Sequence, residues 1–130
     1  MAWVLFPVYL YHVLNLTLLD RIPAHRRAKL TPFWEFRELL MTSNKPYWLR
    51  QIGGNLIMLF PLGVMLPLMN RRFQKFHIMF LTGFLFSVMI EVTQYLTGRG
   101  LMEFDDVFHN TIGAIAGWFI WKLFFSESPF

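Results

Sequence analysis

The chain is 130 residues long, 55% hydrophobic and only 15% charged, with a mean hydropathy of +0.42. That is one domain's length with too little charge to cover a soluble surface, so the composition points to a chain that meets lipid. There is no cysteine, which excludes a disulfide framework, a thiolate metal site and a cysteine nucleophile, and the net charge of +4 lies between apolar runs, where it sets topology and touches anionic headgroups rather than nucleic acid.

Residues 2–19 form the first apolar run, interrupted by His12 and Asn15 and closed by Asp20-Arg21. Its length is about that needed to span a bilayer. Met1-Ala2-Trp3 offers no basic leader and no small-residue cleavage site follows, so the run reads as a retained helix. Residues 20–50 carry seven basic residues: Arg21, Arg26, Arg27, Lys29, Arg37, Lys45 and Arg50. Within them Thr31 suits a helix cap and Pro32 a first helical position, and the mixture of aromatics and charges over residues 32–40 predicts a short amphipathic helix at the membrane surface. Tyr47-Trp48 reads as an interfacial anchor.

Residues 51–69 are the second apolar run, with Gly53-Gly54-Asn55 near its start and Pro61 and Pro67 inside it, so a bend near Pro61 is expected. Asn70-Arg71-Arg72 through Lys75 is a tight basic turn. Residues 76–97 form the third run, residues 98–106 a short loop rich in Gly and acid, and residues 107–125 the fourth run. The expectation is one domain over residues 1–130: an all-α integral membrane protein, a four-helix transmembrane bundle with a short interfacial amphipathic helix.

An ionisable group at membrane depth is expensive and persists where it faces the bundle interior or a wet cavity. Ser87, Glu91 and Gln94 are spaced four and then three apart and share a helix face. Arg99, Glu103, Asp105 and Asp106 follow in the loop, and Asn110 lies one helical turn after Asp106. These spacings predict one polar mouth around Glu91, Gln94, Arg99, Asp105, Asp106 and Asn110, with Asn55 reaching the same level from the second helix. His109, His12 and Asn15 read as structural contacts. Gly113 and Gly117 form a small-xxx-small pattern that lets the fourth helix approach another helix closely, in the same chain or in a second copy.

Three chemistries compete for the mouth. Glu91, Asp105 and Asp106 could hold a divalent ion. Glu91 or Asp106 could act as a general acid or base. The cluster could equally bind a polar headgroup, with Arg99 as the anion contact. Each residue also has a plain structural reading: Glu91 paired with Arg99 or Asn55, and Asp106 and Asn110 tying down the fourth helix. No metalloprotease helix, phosphate loop or Ser-His pairing selects an enzyme, and no cofactor is required by the spacing.

Three blocks resemble the VanZ-like family, membrane proteins named after a teicoplanin-resistance protein. They are Leu30-Thr31-Pro32-Phe33 with Phe36-Arg37-Glu38; Gly54-Asn55 through Phe60-Pro61-Leu62-Gly63; and Ser87, Glu91, Gln94, Gly98-Arg99, Asp105-Asp106, Asn110-Thr111 and Gly113 on to Gly117. Glu103 departs from the aspartate frequent in the family's acidic loop, one methylene further out. The resemblance implies a multi-pass plasma-membrane protein of the cell envelope, linked in some members to reduced glycopeptide sensitivity, with no settled biochemical activity.

Orientation is where charge counting and resemblance diverge. With four spans, the side of residues 20–50 and 98–106 holds eight basic residues, those seven and Arg99, against Arg71, Arg72, Lys75 and Lys122 on the other. Counting puts the mouth in the cytoplasm; the resemblance puts it outside, which is the expectation adopted. The functional expectation is an envelope protein whose mouth binds an amphiphile: a membrane lipid headgroup, a lipid-linked cell-wall intermediate or a lipophilic glycopeptide. The alternatives are an intramembrane, metal-assisted enzyme acting on a phospholipid or polyprenyl phosphate, and a small accessory subunit docked through the Gly113-Gly117 face.

Overall fold

A computed structural model describes residues 1–126. Helix α1 (Ala2–Leu14) runs on into a π-helical turn, Asn15–Leu19. An extended segment follows, containing β1 (Arg27–Lys29), and then α2 (Trp34–Met41). Helices α3 (Lys45–Met58) and α4 (Phe60–Met69) are two halves of one apolar rod, and a 3₁₀ turn at Arg71–Gln74 leads into α5 (Phe76–Thr97). Strand β2 (Leu101–Glu103) and α6 (Phe104–Phe125) complete the chain.

The rod breaks at Leu59, and Pro61 falls in the first turn of α4, where its missing N–H would have had no helical partner. The interruption falls two residues before Pro61, near which a bend was expected. The rod starts at Lys45 rather than at residue 51, and α6 starts at Phe104 rather than at 107, which puts Asp105 and Asp106 in its first turn. Strands were not expected. Arg27–Lys29 pairs in parallel with Leu101–Glu103, Ala28 opposite Met102, and ties the basic segment to the acidic one. Gly98 ends α5 in the left-handed region at φ 67°, where Ala24 donates its N–H to the Gly98 carbonyl at 2.9 Å and a Cβ would strike the Ala24 carbonyl.

Three helical stretches among the described residues are long and apolar enough to cross a membrane: Ala2–Leu19, Lys45–Met69 and Phe76–Thr97. Helix α6 has the length, but Asp105, Asp106, His109, Asn110 and Lys122 lower its hydropathy. Four of those five are buried, while its outward residues are Phe104, Phe108, Ile112, Phe119, Leu123 and Phe124. The whole molecule follows this inversion, with Glu35, Ser87, Glu91, Gln94 and Asn110 inside and Trp3, Val4, Leu81, Leu85 and Met89 outside. It is the arrangement that a low-dielectric solvent selects.

Helix α6 is the central element, packed on the rod and on α5. A Cβ on Gly113 would overlap the Leu56 carbonyl, one on Gly117 that of Phe60, and one on Gly63 that of Ala114. The small-residue face is therefore used within the chain to seat α6 against the α3–α4 rod. The apolar core sits at the end away from the strands: Leu59, Leu62, Leu66, Met79, Ala114, Trp118 and Trp121. The polar core sits at the strand end.

Candidate functional site

At the strand end a cavity of about 530 Å³ opens between the π-helical turn, α2, α3, the end of α5, β2 and the start of α6. Of the residues expected at a common mouth, Asn55, Glu91, Gln94 and Asp106 line it; Arg99, Asp105 and Asn110 do not. Each of those three has a different task, and each task is a hydrogen bond.

Arg99 reaches the end of α1, donating to the Leu18 carbonyl at 3.2 Å and the Arg21 carbonyl at 3.3 Å. It is a cation at a helix C-terminus, favourable for the dipole, and it shares the Leu18 carbonyl with the Arg21 backbone N–H. Asn110, fully buried, donates to Ser87 Oγ at 3.0 Å and joins α6 to α5. Asp105 accepts the backbone N–H of Phe33 at 2.6 Å and that of Glu35 at 2.9 Å, one on each oxygen. Phe33 adopts the left-handed conformation, φ 59°, which turns both N–H groups to the same carboxylate. Asp105 was expected as a pocket residue and metal ligand; it does not line the cavity, and each of its oxygens accepts a backbone N–H from the start of α2.

What that clamp delivers is Glu35, the side chain that sequence reasoning missed. Helix α2 is otherwise largely exposed, but Glu35 is fully buried and lines the cavity. Its carboxylate lies 3.4 Å from His109 Nδ1, and Glu35, Asp106 and His109 place one ligand atom each within 4.8 Å of one another. Asp106 is held in turn by Asn55, whose amide donates to Oδ1 at 2.5 Å. Glu91 accepts the backbone N–H of Glu103 at 2.9 Å, fixing β2 beside α5, while Gln94 donates to the Thr17 carbonyl at 2.9 Å. The Glu91 partner is thus a backbone amide rather than Arg99 or Asn55.

Glu103 also lines the cavity. Burial, and then the neighbouring Asp106 and Glu35 carboxylates, hold its pKa far above the ordinary carboxylate range. The basic members are Arg21, Arg27 and Arg50, all exposed, and Trp34, Tyr47 and Trp48 stand beside them. Trp34 meets Trp48 edge to face at 5.3 Å, and the Lys29 ammonium lies over the Trp34 ring at 5.3 Å. The cavity therefore has arginines and aromatics at its open end and carboxylates on its inner wall.

The model of the VanZ/LLP1 family matches residues 2–125, nearly the whole chain. The chain belongs to the VanZ/LLP1 family. No curated protein matches it, and no solved structure does. As a VanZ/LLP1 member with three apolar spanning-length helices and an inverted surface, it is a membrane protein. The family blocks read from sequence acquire physical roles here. The Thr31-Pro32-Phe33 stretch is the turn that Asp105 clamps, Asn55 orients Asp106, and the glycines let α6 reach the rod.

Proposed function

We propose that this VanZ/LLP1 protein is a four-span protein of the cell envelope that binds the anionic head of an amphiphile in its polar cavity. The mouth faces outward and α2 lies at the interface. The observation that carries this is the cavity itself: a chamber of about 530 Å³ lined by polar and apolar side chains alike, with the exposed Arg21, Arg27 and Arg50 among them, in a chain whose long helices turn apolar side chains outward. Arginine suits phosphate and carboxylate because its fork matches two oxygens at once. The flanking aromatics Trp34, Tyr47 and Trp48 suit the level where acyl chain meets headgroup. A lipid headgroup, a lipid-linked cell-wall intermediate and a lipophilic glycopeptide share this chemistry, and the last two connect it to glycopeptide sensitivity.

The test is retention of ligand by the purified, delipidated protein, read by native mass spectrometry with phosphatidylglycerol, a polyprenyl phosphate and teicoplanin in separate arms. The Arg27→Ala/Arg50→Ala double variant should lose at least tenfold in affinity for the retained amphiphile with its thermal stability unchanged. Arg99→Ala should lower stability and leave the affinity of the folded fraction intact, because Arg99 caps α1. Equal binding by wild type and the double variant, or a binding defect confined to Arg99→Ala, would refute the reading.

A further inference from the structure

Glu35 presents a problem that the fold around it does not solve. It is 0% exposed, and neither Oε1 nor Oε2 receives a hydrogen bond from an N–H group; the buried Glu103 carboxyl that lies against it and against Asp106 is another acid, not a counter-charge. His109, 8% exposed, leaves Nδ1 equally unpartnered, 3.4 Å from Glu35 Oε2 but outside hydrogen-bond geometry. Buried charges in proteins are paired or coordinate metals, because an isolated buried carboxylate is too costly. Asp106, 9% exposed, completes a group whose donor atoms all lie within 4.8 Å of one another. Three lone-pair donors from two elements converge, and the two carboxylates border the cavity.

We infer that Glu35, Asp106 and His109 form a binding site for a divalent transition-metal cation, Zn²⁺ or Mn²⁺, with its open coordination position facing the cavity. One imidazole nitrogen with two carboxylates is a borderline donor set that suits such ions. Mg²⁺ prefers oxygen ligands and keeps its water. Bonds of about 2.0–2.2 Å put neighbouring donors of a tetrahedral site about 3.4 Å apart. The Glu35–His109 separation of 3.4 Å already has that value. Three protein ligands with one open position is the pattern of a site that meets a further ligand.

The supports are in place as well. Asn55 fixes Asp106 through Oδ1, and Asp105 fixes the backbone of Glu35 itself. Groups that orient metal ligands in this way tune affinity strongly. The metal ligands differ from those expected from sequence: Asp106 remains, while Glu91 and Asp105 are engaged by backbone amides and Glu35 and His109 take their places. The assignment does not rest on amphiphile binding, since a cation would be held with the cavity otherwise filled by water.

The experiment uses the full chain in detergent, stripped with chelator and then equilibrated with ZnCl₂, MnCl₂ or MgCl₂. Bound metal is measured by mass spectrometry of the gel-filtered protein, and stabilisation by thermal unfolding. Wild type should retain one equivalent of Zn²⁺ or Mn²⁺ and none of Mg²⁺, with a rise in unfolding temperature that follows occupancy. Glu35→Gln and His109→Ala should each weaken binding at least 100-fold, and Asn55→Ala by about 10–100-fold. Glu38→Gln, on the same short helix, should bind as wild type. Failure of wild type to retain any cation overturns the site and leaves a buried Glu35–His109 ion pair. Retention that survives both Glu35→Gln and His109→Ala overturns it equally, and is read on wild-type-like protein whether or not one of the two variants folds poorly.

Discussion

Replacing Asp105 by Ala removes both acceptors that hold the start of α2. Hydrogen bonds to a charged group are worth about 1.5–3 kcal/mol each, so the pair represents roughly 3–6 kcal/mol. Water entering the vacated space returns part of this, and about 3 kcal/mol of docking free energy is lost. The strain of the left-handed Phe33, of order 1–3 kcal/mol, is borne by the docked state of wild type and variant alike and cancels in the difference. At 1.4 kcal/mol per factor of ten, local opening of α2 rises about 100-fold. Hydrogen exchange on the purified protein reads this directly. Amides of residues 35–41 should exchange about 100-fold faster in Asp105→Ala, with those of α5 and α6 little changed. Asp105→Asn, which keeps one acceptor, should fall between. If α2 protection is unchanged, or if α2, α5 and α6 all lose protection together, the clamp does not work as described.

Two further predictions come from packing and topology. Gly113→Ala and Gly117→Ala should each destabilise by about 1–3 kcal/mol or more, because the new Cβ meets a carbonyl of the rod that cannot yield. Gly53→Ala and Gly54→Ala, where nothing lies within 4 Å of the Cβ, should instead stabilise α3 by up to about 1 kcal/mol in denaturant titrations in detergent. For orientation, single cysteines at Ile22, exposed at the strand end, and at Asn70 can be probed with an impermeant thiol reagent in intact cells, the chain having no cysteine of its own. Labelling at position 22 with protection at position 70 is expected; the opposite pattern reverses the topology.

The apolar runs were legible because hydrophobicity is summed over many residues, and the break near Pro61 because proline acts locally. Glu91 and Gln94 were legible because a helix fixes their common face. What stayed hidden depends on contacts between distant segments. Glu35 enters the site only because Asp105, 70 residues on, clamps its backbone, and the β1–β2 pairing joins segments separated by 74 positions. One local signal was present: Glu35 lies four residues before Leu39, on the inward stripe of α2 rather than on its polar face. Among the arginines, sequence has no means of telling Arg99, which turns back to cap α1, from Arg21, Arg27 and Arg50, which reach the cavity.

The parallel pairing of Arg27–Lys29 with Leu101–Glu103 also dictates a schedule. Synthesis proceeds from the N-terminus, so β1 emerges long before its partner strand exists. Helix α2 must wait still longer, because its clamp is the second residue of the last helix. Until β2 and α6 are both in place the basic segment has neither its strand partner nor the clamp on α2, and the carboxylates of the cavity have no enclosing wall. The site is therefore the final event of assembly, and truncation anywhere before α6 leaves a chain that inserts its first helices yet never closes its chamber. Quality control that inspects the exposed loop at residues 20–50 would be inspecting whether the whole protein has been made.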